Sequence, residues 1–281
     1  MSQPQDETSV TASEPVHRSR WRRFSPSMGW RAFWSEILIV VLGVVIALAA
    51  NEVVQDWTWR NKVEDAEARL QVDSNAVFKW SAEQFSVQPC IIEQLDGLAR
   101  RVMDAGATLA PAPVFSEQTT TPFPLTYVVR IPTRPWRFAV WEALLADGTA
   151  PHFDSTKQLY YNGIQSQAAA QREFRLESDR LRGRVSALAY PVALDPVVRR
   201  EFLVDLESLR HQTRSAAIVA MQLMRTIDTN GSAPTPEDFE AYVSESGTVQ
   251  FCKAQGLPLA DWRGFREANV DSAKPNQAKA P

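Results

Sequence analysis

Histidine and cysteine are scarce, with three and two residues in a chain of 281. His17, His152 and His211 show no ligand spacing such as HExxH, so no metal site is expected. Cys90 and Cys252 stand too far apart for a CxxC redox motif. The chain carries no GxxxxGK[ST], GxGxxG or GxSxG, and no Ser/His/Asp set stands out, so neither a cofactor nor an enzymatic activity is expected. Neither charge sign dominates. A formal net charge of −3 is too small to argue for a nucleic-acid partner. Arginine outnumbers lysine about four to one, a bias that fits a GC-rich bacterial genome.

What the chain does have is one long apolar run. From Ile37 to Ala50, in "ILIVVLGVVIALAANE", every residue is apolar or glycine. At helical rise the run between Glu36 and Glu52 covers only about 22 Å of a hydrocarbon core roughly 30 Å thick. Its flanks extend it. Trp30, Phe33 and Trp34 precede the run, and Val53, Val54, Trp57 and Trp59 follow it. Tryptophans on both sides suit the two headgroup layers, so Trp30, Trp34, Trp57 and Trp59 are expected at the membrane interfaces. Residues 30–57 then make a transmembrane anchor embedded in the lipid bilayer. Arg18, Arg20, Arg22, Arg23 and Arg31 lie before the run, against Arg60, Lys62 and Arg69 after it. That excess places the N-terminus in the cytoplasm of a bacterial inner membrane and the rest in the periplasm. The rival is a secretory signal cleaved near Ala49, since a basic region, an apolar stretch and Ala47-Leu48-Ala49 also fit that pattern. Glu36 at the start of the stretch, and helical pattern running through the cut, favour the anchor. Gly43, Ala47 and Ala50 fall on one helix face, which permits a homodimer through close helix approach.

Four segments follow. Residues 1–29 form a polar cytoplasmic tail with a basic juxtamembrane part, disordered in composition at least over residues 1–16, and too short for a signalling domain. Residues 30–57 are the anchor, 58–269 the periplasmic helical domain, and 270–281 a second disordered tail. Within the domain, Val63, Ala66, Leu70, Val77 and Trp80 recur at helical steps. A break at Gln88-Pro89 is expected before a second helix through Ile91, Leu95, Leu98 and Val102. Residues 107–137 are rich in Pro and Thr, with one candidate strand at Thr126 to Ile131. A short helix spans Phe138 to Ala146. Ser155 with Gln158 reads as a capping box opening a long helix to about Leu188. Asp195-Pro196 opens another, lined by Phe202, Leu206, Leu209, Ala216, Ala220, Leu223 and Ile227 and ended by Asn230-Gly231. Thr235-Pro236-Glu237 begins a last short helix. Short connections make sequential helices antiparallel neighbours. The expected fold is all-α: one N-terminal transmembrane helix, then an antiparallel helical bundle with one irregular Pro/Thr-rich loop.

The stretches "FWSEILIVVLGVVIALAANEVVQDW" and "WEALLADGTAPHFDSTKQLYYNGI" resemble a group of uncharacterised bacterial single-span membrane proteins. These share an "FxxExxIVxxGVxIALxA" anchor with tryptophans after it, and a tryptophan-led short helix with "ADG". The resemblance covers under a fifth of the chain. It implies the topology and a helical exported domain, and no known activity.

Two constellations stand out. Outside the cytoplasm, Cys90 and Cys252 are expected to form a disulfide, the alternative being two separate buried thiols. The closed loop of about 160 residues is worth roughly 5 kcal/mol in the chain-entropy account. Arg130, Arg134 and Arg137, with Trp136, cluster in "VVRIPTRPWRFAVW" and form a candidate ligand-binding set for a carboxylate, phosphate or sugar. The alternative is a loop whose tryptophans seal the bundle while its arginines stay solvated. Charge pairs such as Glu177 with Arg180 and Arg175 with Asp179 read as a solvated helix face. The functional expectation is a membrane-anchored periplasmic binding or scaffold protein, a partner of an envelope protein. A ligand-binding, sensor-like bundle acting through a partner comes second, and an envelope enzyme last.

Overall fold

The computed structural model describes residues 30–117 and 125–261. The tails expected at 1–16 and 270–281, and the arginines at 18, 20, 22 and 23, lie outside these residues. The chain divides after Asp56 into two compact units.

Six α-helices dominate the described residues. The first, α1, spans Trp30–Asp104 without interruption. Within the first unit, Trp30 meets Trp34 edge-on at 6.0 Å, and the side chains from Ile37 to Leu48 are exposed. Among the described residues α1 is the one helix long and apolar enough to cross a membrane, by length and composition, and none of its most apolar window is buried.

In the second unit, α1 continues through Pro89, and the expected break does not occur. A proline inside a helix removes one hydrogen bond and costs about 3 kcal/mol. Here burial offsets that cost. Val87, Cys90, Ile91 and Leu95 around it are fully buried. Ser86, three residues before Pro89, accepts a hydrogen bond at its carbonyl from the Ala260 amide, 2.8 Å away. The far end of α1 is capped from another helix. The Arg199 guanidinium donates to the carbonyls of Val102, Met103, Ala105 and Gly106, which have no partner further along the helix.

The Pro/Thr-rich segment makes two small antiparallel ladders. The first pairs β1 (Thr108–Leu109) with β4 (Val192–Ala193). The second pairs β2 (Phe115–Glu117) with β3 (Leu125–Tyr127), so the strand expected at Thr126 to Ile131 is shorter and finds its partner within the same loop. The helix α2 spans Ala139–Ala146. Its N-cap, Phe138, offers no capping side chain; instead Asp73 of α1 accepts from the Val140 amide at 3.0 Å.

The long α3 spans Ser155–Val185, and its cap is Asp154 rather than Ser155. The Asp154 carboxylate accepts from the amides of Thr156 and Lys157, both at 3.0 Å, as a charged acceptor favours at a helix N-terminus. Gln158 turns back to donate to the Phe153 carbonyl at 2.7 Å. Asp195 caps α4 (Pro196–Thr229), and Thr235 caps α5 (Pro236–Glu245). A further helix, α6 (Gly247–Ala254), has no counterpart in the sequence expectation.

Contacts fix the helix directions. Gln171 of α3 donates to the Ala216 carbonyl, and Arg184 pairs with Asp205, so α4 runs against α3. Arg199 at α1's end, Arg210 on Asp96 and Gln71 on the Ser232 carbonyl show α4 running against α1 as well. Two apolar clusters fill the interior. One gathers Ala66 to Ala82 with Trp141, Ile164 and Leu223; the other gathers Val87 to Val102 with Leu181, Leu188 and Leu206. Between them lies a buried polar layer of Gln84, Gln171, Ser178 and Thr213.

Candidate functional site

A carboxylate on the apolar side of α1 organises the most concentrated polar site. Glu83 is 1% exposed, one helical turn before Val87 and two before Cys90. Arg134 holds it with two parallel bonds, Nε to Oε2 at 2.6 Å and Nη2 to Oε1 at 2.9 Å. The Tyr242 hydroxyl of α5 donates to Oε2 at 3.2 Å, and the Ser246 hydroxyl donates to Oε1. Ser246 is also the N-cap of α6, accepting from the Val249 amide. Each carboxylate oxygen thus accepts two bonds, and its lone pairs are in use. Burial pushes the Tyr242 phenol well above its ordinary value, and the adjacent Glu83 charge adds to this. The phenol therefore stays a donor. Chemically the set is a lock: it binds α1, the Pro-rich loop, α5 and α6 through one charge.

The four residues of the candidate ligand set do not all converge on folding. Arg134 is engaged on Glu83. Arg130 approaches the same α5–α6 junction, its Nη2 lying 3.2 Å from where a Cβ on Gly247 would sit. The Arg130 backbone is pinned by Gln94, whose Oε1 accepts from its amide at 2.8 Å. Trp136 is buried, with a left-handed backbone (φ 47°), and meets Trp80 edge-on at 6.1 Å. Arg137 turns away to pair with Glu142 at 3.0 Å. Arg130 and Arg134 are therefore brought together, while Arg137 is not part of their cluster.

Glu83 itself escaped the sequence reading. A signal existed: Glu83, Val87 and Cys90 follow the i, i+4, i+7 pattern of one helix face, so this carboxylate stands on a buried stripe. Nothing local pointed to Tyr242 or Ser246.

Cys90 and Cys252 are bonded, with Cα atoms 6.0 Å apart, and tie α6 to α1 beside Pro89. Both cysteines are fully buried. Next to this junction lies a cavity of about 310 Å³, bordered by Ser86, Val243, Lys253 and Leu259. The Ser86 hydroxyl is buried with no hydrogen-bond partner. Of the expected interface tryptophans, Trp30, Trp34 and Trp57 are exposed. Trp59 stacks on His152, with centroids 3.8 Å apart and planes 11° from parallel, and the Lys62 ammonium lies 4.4 Å from its ring.

No family model matches the chain, and comparisons with curated proteins and with solved structures find no match.

Proposed function

We propose that this chain is a single-pass protein of a bacterial inner membrane, with its N-terminus in the cytoplasm and an antiparallel helical bundle in the periplasm. It serves there as a binding or scaffold partner of an envelope protein complex. The observation that carries the reading is the uncovered apolar segment of α1, whose isoleucine, leucine and valine side chains from Ile37 to Leu48 are all exposed. Apolar surface left in water costs about 25 cal/mol per Å², so such a segment calls for lipid around it. The Cys90–Cys252 bond supports an oxidising compartment for the second unit. The resemblance of the anchor to single-span membrane proteins supports the same topology. Exposed Val197, Val204 and Ile218 along α4 support a partner-binding role.

Three measurements test it. A reporter active only in the periplasm, fused after Ala187, is expected to give signal; a cytoplasmic readout there rejects the orientation. N-terminal sequencing of the mature protein is expected to return an uncleaved chain, and a start near Asn51 selects the secreted alternative. Crosslinking followed by purification is expected to recover a defined envelope protein. Self-association through Gly43, Ala47 and Ala50 belongs to the same proposal, with Gly43→Leu expected to weaken any dimer seen in detergent.

The second reading, a sensor-like ligand-binding bundle acting through a partner, is favoured by the cavity beside Ser86 and Lys253. A small carboxylic acid that raises Tm in the parent chain and not in Lys253→Ala supports it.

A further inference from the structure

The cavity beside the disulfide is a cleft between two helix faces. Glu240, Val243 and Ser244 follow i, i+3, i+4 spacing on α5, and Val249 and Lys253 follow i, i+4 spacing on α6. Ser86 of α1 and residues 259–261 complete its lining. Its walls are fixed. The Ser246 hydroxyl ties the start of α6 to Glu83, and Cys252 ties its end to Cys90. The Ala260 amide, donating to the Ser86 carbonyl at 2.8 Å, pins the third side. A cleft braced in this way needs little reordering to bind a ligand, so little of the contact energy is offset by ordering.

The lining divides by polarity. Val249 is buried, and Val243 and Leu259 are half-buried, which makes an apolar wall. Lys253, Glu240 and Asp261 are exposed and form a charged rim. That rim sets one cation against two carboxylates. A plain carboxylate brought to Lys253 also meets Glu240 and Asp261, and like charges repel. A plain amine brought to the two carboxylates meets Lys253 in the same way. A molecule that carries both signs removes each conflict. The cavity, about 310 Å³, lies at the lower end of the roughly 300–1,000 Å³ usual for small-molecule sites. That size suits a single amino acid better than a chain of several. An apolar side chain on such a ligand leaves water for the wall of Val243, Val249 and Leu259, which favours binding.

We infer that this cleft binds a free amino acid with an apolar side chain. Lys253 takes its carboxylate, Glu240 and Asp261 take its ammonium, and the apolar wall takes its side chain. The inference rests on the sensor-like reading above and names the ligand class for it.

The test uses the full chain in detergent, with its disulfide intact. Its Tm is read with L-leucine, with isocaproate, the same skeleton without the ammonium, and with isoamylamine, the skeleton without the carboxylate. At about ten times its dissociation constant, L-leucine is expected to raise Tm by about 3 °C or more. Each analogue at the same concentration is expected to give less than about a third of that shift. Lys253→Ala is expected to abolish the leucine shift. In the double variant Glu240→Gln with Asp261→Asn, isocaproate is expected to overtake L-leucine, because the ammonium then meets Lys253 with no carboxylate to hold it. An isocaproate shift equal to that of L-leucine in the parent chain overturns the inference and leaves a sensor of plain acids standing. An equal isoamylamine shift overturns it as well. So does a leucine shift that survives both Lys253→Ala and the double variant, since the ligand then sits elsewhere. No shift from any of the three overturns the inference and the sensor-like reading of this cavity together.

Discussion

At the scale of single residues, the decisive feature is a buried charge whose partners come from across the sequence. Removing one partner of such a pair leaves the other charge without compensation, which typically costs about 3–5 kcal/mol. Arg134 is partly exposed, so Arg134→Ala is expected at the lower end, about 3 kcal/mol, read by urea unfolding of the full chain in detergent. Arg134→Lys recovers only part, because an ammonium cannot make the parallel two-bond contact. The double change Glu83→Leu with Arg134→Met is expected to cost less than the two single changes summed, since no charge is left stranded. The tyrosines give a pH signature. Burial, with Glu67 nearby, raises the Tyr161 phenol to about 12, and burial also raises Tyr160 and Tyr242. The folded state therefore holds these protons after the unfolded chain has released them. The contribution of Tyr161 to stability is intact below about pH 10 and falls as pH rises from there through about 12, and those of Tyr160 and Tyr242 are lost in the same direction. Tyr161→Phe is expected to flatten that fall in unfolding curves measured between these pH values.

At the scale of elements, caps and interruptions show how far local pattern reaches. Asp195 and Thr235 act as caps where the sequence places them, because an N-cap needs only its own residue and the amides two and three positions on. The α3 cap falls one residue earlier, because Asp154 brings a full negative charge to the helix N-terminus and Ser155 does not. Pro89 reads as a helix break from local rules. It fails to break α1 because buried neighbours on both sides make up the loss. The end of α1 depends on Arg199, ninety-odd residues away. Bonds from a charged donor are worth about 1.5–3 kcal/mol. Arg199→Ala is expected to cost about 2 kcal/mol and to speed amide exchange in the last turn of α1. The Val128-to-Ile131 stretch leaves its strand early because Gln94 takes up the Arg130 amide, a partner invisible to a strand pattern.

At the scale of the whole molecule, the disulfide and the apolar segment set the behaviour. Joining residues 162 positions apart removes much of the freedom of the unfolded chain. Cys252→Ser is expected to cost up to about 5 kcal/mol and to loosen α6 from α1, seen as faster proteolysis near Ala254. The sequence by itself determined the features that depend on neighbours within a few turns. These are the apolar run with its tryptophan flanks, the helical stripes of Leu70 to Val102 and Leu206 to Ile227, and two of the caps. Only the tertiary structure decided that α1 passes through Pro89, that Glu83 gathers Arg134, Tyr242 and Ser246, that Arg199 ends α1, and that His152 lies on Trp59. Each of these joins groups 50 or more positions apart, and helical spacing carries no information about which face of one helix will meet which residue of another.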